Sequence, residues 1–417
     1  MKKILFKAPV LTRSGYGEQS RFALRALRTR KDLDIYIQPL QWGKTGWLND
    51  KSEERIWIDQ TIEKTIQYIQ EGGHFDISLQ VTIPNEWEQL APINIGYTAG
   101  IETTAVAPHW LHKAALMNKI IVVSNHSKNV YEKTHYEYEE PSGHQGDLRA
   151  HTKISAVNYP VKLYDNLKPL ELDLESDFNF VCMAQMGPRK NVYNTIRWFV
   201  EEFHDEKVGL IVKTNMAKNC LMDREHIRGQ LKILLEQNWP NRTCNVYLLH
   251  GDMSDEEVHG LYAHDKVKAA VLLSHGEGFG LPLFEAAYSG VPVVAPGWSG
   301  QLDFLVDEES RPRFYNVAFD LQPVPAEAVW EDVITAESMW AYPRENSAKE
   351  MMRRCYNDVT NNVPDTPATT APEYVTELRT RFEKQKMYKE FVDALEIDEE
   401  DFNVEGWLES LDIETIT

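Results

Sequence analysis

The chain has 417 residues, enough for roughly two to three domains, and its 42% hydrophobic and 26% charged residues are typical of folded globular proteins, not disordered or fibrous ones. Its formal net charge of −20 argues against general nucleic-acid binding, because contacts to phosphates supply most of that affinity. No long apolar run predicts a membrane span, and the basic N-terminal segment is broken by Lys7 and Pro9 and lacks a cleavage site, so we expect a cytoplasmic protein.

The first part of the chain alternates apolar segments of strand length with helical patterns, which is typical of βαβ units and parallel sheets. Two helical patterns, at 17–30 and 54–72, separate strand-like segments that end in small or polar residues. The predicted strands lie at 2–9, 33–40, 75–81, 93–100 and 119–125. We therefore expect a first Rossmann-like domain at 1–165.

A second series of strand-like segments follows a proline-containing segment that has no helical period. Its predicted strands lie at 178–185, 207–214, 245–252, 269–276 and 291–297. The expected division is a linker at 166–176, a second Rossmann-like domain at 177–345, helices at 346–395 that cross back to the first domain, and an acidic tail at 396–417. Two such domains would face each other across a cleft at the carboxyl ends of their strands, where open α/β sheets bind ligands.

The sequence HGEGFGLPLFEAAYSG, at 275–290, joins the end of a predicted strand to a helix. Pro282 suits the first helical turn and Gly290 ends the helix. Glu285 is therefore predicted in the first turn and Glu277 in the loop before it. The glycines let backbone N–H groups approach a ligand closely, and a helix N-terminus favours a phosphate. Ionised carboxylates only accept hydrogen bonds, so glutamates on either side of a phosphate site suit the hydroxyl groups of a nucleotide-sugar.

The segment from Glu277 to Glu285 resembles the E-x-x-x-x-x-x-x-E element of retaining nucleotide-sugar glycosyltransferases with the two-domain GT-B fold, especially glycosyltransferase family 4. The wider resemblance covers 274–305. Three more segments are similar to family elements: MGPRKN at 186–191 to the basic loop, SGYGE at 14–18 to the first glycine loop, and IVVSNHSKNVYEK at 121–133 to a segment ending the first domain.

The resemblance implies an α/β protein of GT-B architecture, in which two Rossmann-like doubly wound domains face a central cleft. It implies a retaining hexosyl or other glycosyl transferase that moves a sugar from a UDP- or GDP-sugar to an acceptor hydroxyl. No further cofactor is implied. The acceptor class stays open among saccharides, lipids, small molecules, proteins and modified nucleic-acid bases.

The resemblance also assigns roles to individual residues. Glu285 holds the nucleotide ribose, and Glu277 contacts the hydroxyl groups of the donor sugar. Arg189 and Lys190 neutralise the charge on the leaving diphosphate, so these two and Glu277 are the implied catalytic residues. The other implied donor-binding positions are Gly15, Gly17, Gly278, Phe279, Gly280 and Leu281.

Two departures from the family pattern leave roles open. Gln185 stands where many relatives have an arginine in the basic loop, so we expect Arg189 to supply that charge. Relatives often present a histidine near the reacting sugar, whereas the segment 97–110 offers Glu102 and His109. Glu102 is the candidate there for a contact with the acceptor or the sugar.

A basic stripe follows the first glycine loop, because Arg21, Arg25 and Arg28 recur at helical spacing on an otherwise acidic molecule. One interpretation is a solvated helix face. The other is that Arg21 and its neighbours contact an anionic acceptor or a peripheral membrane surface.

No metal site is predicted. The four cysteines have no Cys-x-x-Cys spacing, and the Asp-x-Asp triplet Asp32-Leu33-Asp34 lies at the start of a predicted strand, away from the expected cleft. The alternatives to a glycosyltransferase are a nucleotide-sugar epimerase or phosphorylase of the same fold, and a non-catalytic sugar-nucleotide-binding protein. Donor turnover separates the enzymes from the binding protein.

Overall fold

Two parallel sheets organise the computed structural model, which describes residues 1–139, 145–216 and 218–397. The strands before residue 157 are β1 (Lys2–Ala8), β2 (Leu33–Pro39), β3 (Ile77–Val81), β4 (Ile93–Thr98), β5 (Lys119–Val122), β6 (His135–Glu139), β7 (Gln145–Arg149) and β8 (Lys153–Ala156). Six of them form the first sheet in the order β2-β1-β3-β4-β5-β8, and β6 pairs with β7 as an antiparallel hairpin.

The second sheet lies in the next part of the chain. Its strands and the pair that follows are β9 (Phe178–Met183), β10 (Val208–Lys213), β11 (Asn245–Leu249), β12 (Val267–Val271), β13 (Val293–Pro296), β14 (Tyr315–Val317), β15 (Phe319–Pro323) and β16 (Met339–Pro343). The sheet order is β11-β10-β9-β12-β13-β14, and β15 and β16 form a separate antiparallel hairpin.

Helices cover both sheets. They are α1 (Gly15–Leu27), α2 (Glu53–Gln70), α3 (Pro108–Ala114), α4 (Asn125–Lys133), α5 (Val192–Glu202), α6 (Leu221–Asn238), α7 (Asp255–Tyr262), α8 (Leu281–Tyr288), α9 (Leu302–Leu305), α10 (Glu345–Thr360), α11 (Ala371–Arg381) and α12 (Lys384–Leu395). Short 3₁₀ turns lie at Pro84–Glu86, Pro188–Lys190 and Ala326–Ala328. Over the described residues, no helix is both long enough and apolar enough to cross a bilayer.

The strand order places the ligand-binding edge of each sheet. With the strands of each sheet numbered along the chain, the first order is 2-1-3-4-5-6 and the second is 3-2-1-4-5-6, both doubly wound arrangements. The direction of winding reverses between β1 and β3 in one sheet and between β9 and β12 in the other. Ligands of such sheets bind beyond the carboxyl ends of the strands at these reversals. The loops after β1, β9 and β12 are therefore the candidate site loops.

The strands next to these reversals are buried on both faces. Phe6 of β1, Phe180 of β9 and Val271 of β12 are fully buried in one apolar cluster. Continuous apolar runs, instead of alternating ones, follow from helices covering both faces of a parallel sheet. The site loops thus start from rigid supports.

The end of the described chain returns to the first sheet. Helix α12 packs on α1, and the ring of Phe391 lies 5.4 Å from that of Phe22 and 5.1 Å from that of Tyr97. Glu396 forms ion pairs with Lys119 and Lys153. The greater part of the predicted acidic tail, 398–417, lies outside the described residues.

A second connection between the two sheets runs through the β15–β16 hairpin. The segment between its strands carries Val333 into a buried apolar cluster with Trp87 and Trp110 of the first domain. The backbone N–H of Met339 donates to Thr104 Oγ1 at 3.0 Å. The helix α12 and this hairpin therefore both tie the second unit to the first.

The ten predicted strands are confirmed as strands of the two sheets, and nine of them end one to five residues earlier than predicted. β12 ends at Val271, so the predicted strand at 269–276 extends too far into the site loop. The sequence analysis missed β8 and β14, which are the edge strands of their sheets, and both antiparallel hairpins. Strands β8 and β14 have only 4 and 3 residues, with one and two buried positions, which are too few for a hydrophobic pattern to register.

Candidate functional site

The loop between β12 and α8 lies at the reversal point of the second sheet. Gly280 caps α8 with a φ of 97°, a left-handed conformation that favours glycine, and Pro282 follows in the first turn. The helix begins at Leu281. Glu285 is thus its fifth residue and lies beyond the first turn, so the predicted first-turn position is wrong. The cause is that Gly280, not a later residue, adopts the capping conformation.

Glu277 is held in this loop by two cations. Its side chain is buried, with the residue 4% exposed, and both carboxylate oxygens accept hydrogen bonds from Lys190 Nζ at 2.7 Å. Arg189 Nη1 donates to Oε2 at 3.2 Å. Burial alone would raise the pKa of Glu277, but the charges of Lys190 and Arg189 outweigh it and lower the pKa to about 2. Glu277 is therefore ionised at neutral pH.

The basic loop that carries these cations is tied to the loop after β12. Arg189 and Lys190 lie in the short 3₁₀ turn after β9, and Asn191 ends this turn in a left-handed conformation with φ 52°. Asn191 Nδ2 donates to the carbonyl of Leu273 at 3.0 Å, and the N–H of His275 donates to the carbonyl of Arg189 at 2.8 Å. The three implied catalytic residues are thus brought together in the loops that follow two adjacent strands of the second sheet.

A residue of the first domain joins this group. Glu102, in the loop after β4, forms an ion pair with Arg189, with Oε1 2.7 Å from Nε. His109, the other candidate of its segment, lies half-buried in α3. The structure thus shows where Glu102 lies. Its predicted contact with the acceptor or the sugar stays a prediction.

Glu285 lies in a second charged group that sequence reasoning missed. Lys162 Nζ is 2.8 Å from Glu18 Oε1 and 2.8 Å from Asp255 Oδ2, and its charge also acts on Glu285. Burial raises the pKa of Glu285 to about 8, opposed by Lys162 and assisted by the negative charges of Asp255 and Glu18. Lys162 was not identified from the sequence because it lies between β8 and β9, in a segment without a helical or strand-like hydrophobic pattern.

The first glycine loop is shaped by close backbone contact. Ser14 Oγ accepts from the N–H of Gly17 at 2.9 Å and caps α1. A side chain at Gly17 would place its Cβ 2.0 Å from the carbonyl oxygen of Thr12, whereas the space beside Gly15 is open. Gly17 is therefore required by the turn itself. The predicted donor contacts of both glycines stay predictions.

The basic stripe on α1 is not continuous at the surface, so the interpretation as a solvated helix face is wrong for Arg21. Arg21 is only 7% exposed, and its Nη1 donates to the carbonyls of Val10 at 3.1 Å and Thr12 at 3.0 Å. Burial of Arg21 leaves no continuous exposed stripe, because a guanidinium that holds two loop carbonyls is turned inward. Its predicted contact with an acceptor or sugar stays a prediction.

The other two arginines of the stripe are engaged locally. Arg25 forms two hydrogen bonds of 2.7 Å with the carboxylate of Glu54. The guanidinium of Arg28 lies 4.3 Å from the ring centre of Trp57. Both side chains therefore pack against α2.

The remaining predicted residues support the loops. Phe279 is buried, and its ring lies 5.1 Å from that of Tyr159 and 5.0 Å from that of Phe304. His275 Nδ1 donates to the carbonyl of Ala341 at 2.8 Å. Gln185 is exposed and donates to the carbonyl of Met216 at 2.6 Å, so it takes no part in the cation group.

Over the described ranges, no group of three or more His, Cys, Asp or Glu side chains is arranged to hold a metal ion. Asp34 of the Asp-x-Asp triplet lies near the start of β2 and forms an ion pair with Lys64.

The site combines two kinds of recognition at one place. Two cations and the N-terminus of α8 suit an anion such as a diphosphate. Two carboxyl groups, Glu277 and Glu285, suit hydroxyl groups on either side of it. This chemistry matches a ligand with a charged centre and polyhydroxylated ends.

Comparison with known proteins agrees with this description. Residues 242–315 match the model of a family described as glycosyl transferases group 1. The serotype-specific mannosyltransferase WbdA of Escherichia coli is 31% identical over 135 residues, which are 31% of this chain and 15% of that protein. The chain thus aligns with only a small part of that relative's length.

Two solved structures are similar over nearly the whole chain. Alr3699/HepE of Anabaena, in complex with UDP and glucose, has a TM-score of 0.58 at 14% identity and covers 95% of this chain and 100% of its own. Sucrose-phosphate synthase of Thermosynechococcus elongatus has a TM-score of 0.59 at 12% identity, covering 94% and 98%. At these identities the likeness shows the fold, and it confirms the expected GT-B architecture.

The opposite pKa shifts of the two glutamates predict opposite effects on stability. The pKa of Glu285 is about 8 in the folded protein against 4.5 ordinarily. The unfolded chain therefore ionises first as the pH rises, and the carboxyl becomes increasingly unfavourable to folding between these values. We expect Glu285→Gln to raise the melting temperature of the ligand-free protein relative to wild type, increasingly so from about pH 5 to about pH 8.

Glu277→Gln is the matched comparison. With a folded pKa of about 2 against 4.5, Glu277 contributes stability above 4.5 that is lost as the pH falls toward 2. The variant should therefore melt below wild type at neutral pH, with a difference that shrinks on acidification. Thermal unfolding across pH measures both effects, and a pH-independent difference for Glu285→Gln would contradict the assigned pKa.

Proposed function

We propose that the protein is a retaining glycosyltransferase of the family 4 type, which transfers a sugar from a nucleoside-diphosphate sugar to an acceptor hydroxyl. The observation that carries the proposal is the buried group of Glu277, Lys190 and Arg189 beside the N-terminus of α8. It combines fixed positive charge with a fixed hydrogen-bond acceptor at the reversal point of the second sheet.

In this proposal the donor lies along the β12–α8 loop. The diphosphate meets the backbone N–H groups of Phe279, Gly280 and Leu281, assisted by Arg189 and Lys190. The sugar is held by Glu277 and the ribose by Glu285, with Gly278 in the donor-binding loop. The first-domain positions in the proposal are Gly15 and Gly17, which close the cleft over the donor.

The donor class is proposed as a UDP- or GDP-hexose. A UDP-sugar is supported by the UDP and glucose in the complex of the Anabaena protein, and a hexose by the mannosyltransferase name of the Escherichia coli relative. The acceptor is proposed to present a hydroxyl group, and a saccharide is the class that these relatives favour. A cytoplasmic location, and peripheral membrane contact for a lipid-linked acceptor, are parts of the proposal that only the sequence supports.

The proposed reaction is a front-face displacement. The acceptor oxygen forms a bond to the anomeric carbon while the bond from that carbon to the diphosphate oxygen breaks. The leaving oxygen keeps the electron pair and takes the proton of the acceptor hydroxyl. Arg189, Lys190 and the N–H groups of the α8 N-terminus stabilise the negative charge that develops on the diphosphate. Retention of configuration follows because the acceptor enters on the face from which the diphosphate leaves.

The same geometry bears on the alternatives. A same-fold epimerase or phosphorylase would also need the anion site. A glycosyltransferase differs from these enzymes because it glycosylates an acceptor hydroxyl. A non-catalytic binding protein would not need the buried pair of Glu277 and Lys190 for function. Retention of that pair at 2.7 Å therefore favours an enzyme.

Kinetics of two substitutions test the proposal. Glu285→Ala should raise the donor KM about tenfold with little change in kcat, since it removes hydrogen bonds present before and during reaction. Glu277→Gln should lower kcat about 10²-fold, because its contact strengthens in the transition state. The assay follows nucleoside diphosphate released from a UDP- or GDP-hexose on addition of saccharide acceptors.

Glu225→Gln, on the exposed face of α6, is the control and should match wild type. The reverse pattern of KM and kcat would refute the assigned roles. Saturable binding of donor without release of nucleoside diphosphate under any acceptor would favour the binding protein instead.

Transfer is also predicted to need no divalent metal. Two fixed cations, Arg189 and Lys190, already lie at the proposed diphosphate position. They supply the positive charge that a metal ion would otherwise provide. The measurement compares transfer after exhaustive EDTA treatment with transfer after resupply of magnesium or manganese. Equal rates are expected, and activity that disappears with EDTA and returns with metal would overturn the prediction.

A further inference from the structure

An ion pair joins the two domains at the candidate site. Glu102 extends from the loop after β4 of the first domain, and its Oε1 lies 2.7 Å from Nε of Arg189 in the second domain. The two side chains are 18% and 29% exposed, so water screens this pair less than a surface pair. The contact is therefore partly shielded from water.

The pair depends on close contact between the two loops. A side chain at Gly276 would place its Cβ 2.3 Å from the carbonyl oxygen of Glu102, and one at Gly278 would place it 2.5 Å from that of Ala99. Such distances are below those of real Cβ contacts, so glycine allows the loops to meet. Because the loops belong to different domains, the ion pair depends on the packing of one domain against the other.

The guanidinium of Arg189 is fixed on two of its edges. Nε is held by Glu102, and Nη1 donates to the carbonyl of Gly276 at 2.6 Å and to Glu277 at 3.2 Å. Within the described part of the chain, no hydrogen bond engages Nη2. Two carboxylates thus fix the plane of the group and leave one donor edge for another anion.

We propose that Glu102 is a positioning residue that orients Arg189 for the donor diphosphate. This inference rests on the proposed function. Its physical basis is preorganisation: a charge aimed in advance stabilises a developing negative charge without reorganising during the reaction.

The proposal gives Glu102 a role other than the contact with acceptor or sugar predicted from the sequence. A residue that acts through Arg189 has no effect once Arg189 is removed, whereas a residue that contacts substrate keeps its own effect. A double-mutant cycle separates the two roles, because it measures whether two residues act as a unit.

The experiment measures kcat and nucleoside diphosphate affinity for Glu102→Ala, Glu102→Gln, Arg189→Ala and the Glu102→Ala/Arg189→Ala double variant. We expect Glu102→Ala to lower kcat about 10- to 100-fold with affinity for UDP or GDP changed less than about threefold. Glu102→Gln should show a similar loss, because the contact with Nε is an ion pair and the amide carries no negative charge. The double variant should match Arg189→Ala.

The matched control is Thr104→Val, which removes the other described link from this loop to the second domain, the hydrogen bond from the N–H of Met339. It should keep kcat within about twofold of wild type. Effects of Glu102→Ala and Arg189→Ala that multiply in the double variant, or an unchanged kcat in Glu102→Ala, would overturn the proposal.

A second readout does not depend on turnover. The Nε–H resonance of Arg189, assigned by its loss in Arg189→Lys, should shift in the NMR spectrum of ligand-free Glu102→Ala and much less in Thr104→Val. An unshifted resonance would show that the ion pair does not orient Arg189. Absence of donor turnover in the wild-type protein with this shift intact would instead reject the proposed function and leave the orientation of Arg189 established.

Discussion

A buried carboxylate that stays ionised is the constraint on which the site depends. An unpaired charge in the position of Glu277 would be costly, so cations must lie beside it. Lys190 and Arg189 meet this requirement from a neighbouring loop. The loops after β9 and β12 are therefore fixed relative to each other. They lie side by side because those two strands are adjacent in the second sheet.

The same group extends to the first domain, so the charges of the site also connect one domain to the other. Arg189 is shared between Glu277 of its own domain and Glu102 of the other. On the far side of the α8 loop, Lys162 is shared in the same way between Glu18 and Asp255. Each shared cation thus connects the two domains at an ionic contact. Such contacts weaken when water enters, so an open cleft would lose both.

Much of the fold could be predicted from the sequence because parallel strands buried on both faces are continuous apolar runs. The ten predicted strands and the α8 loop have such local signals. β8 and β14 do not, since they are short and contain only one and two buried positions. The β15–β16 hairpin was missed for a related reason: its buried residues, such as Val333, pack against the other domain, which no local pattern reports.

The site was predictable to the extent that its residues lie on sequence motifs. Glu277, Arg189 and Lys190 lie on two motifs that meet at a sheet reversal, and the structure brings them together. Arg21 shows the limit, because helical spacing predicts a common face but does not tell whether that face is exposed. The ion pairs of Lys162, and the one between Glu102 and Arg189, depend on the packing of one domain against the other. Contacts of that kind have no sequence period.

The central claim is that the buried group of Glu277, Lys190 and Arg189 forms one side of a nucleoside diphosphate site. The most direct measurement is a crystal structure of the complex with UDP or GDP, whichever binds more tightly by titration calorimetry. The account predicts diphosphate oxygens within hydrogen-bond distance of Lys190 Nζ and of the N–H groups that open α8, with the ribose beside Glu285. A nucleotide bound elsewhere, with Lys190 and the α8 N-terminus making no contact to phosphate, would contradict it.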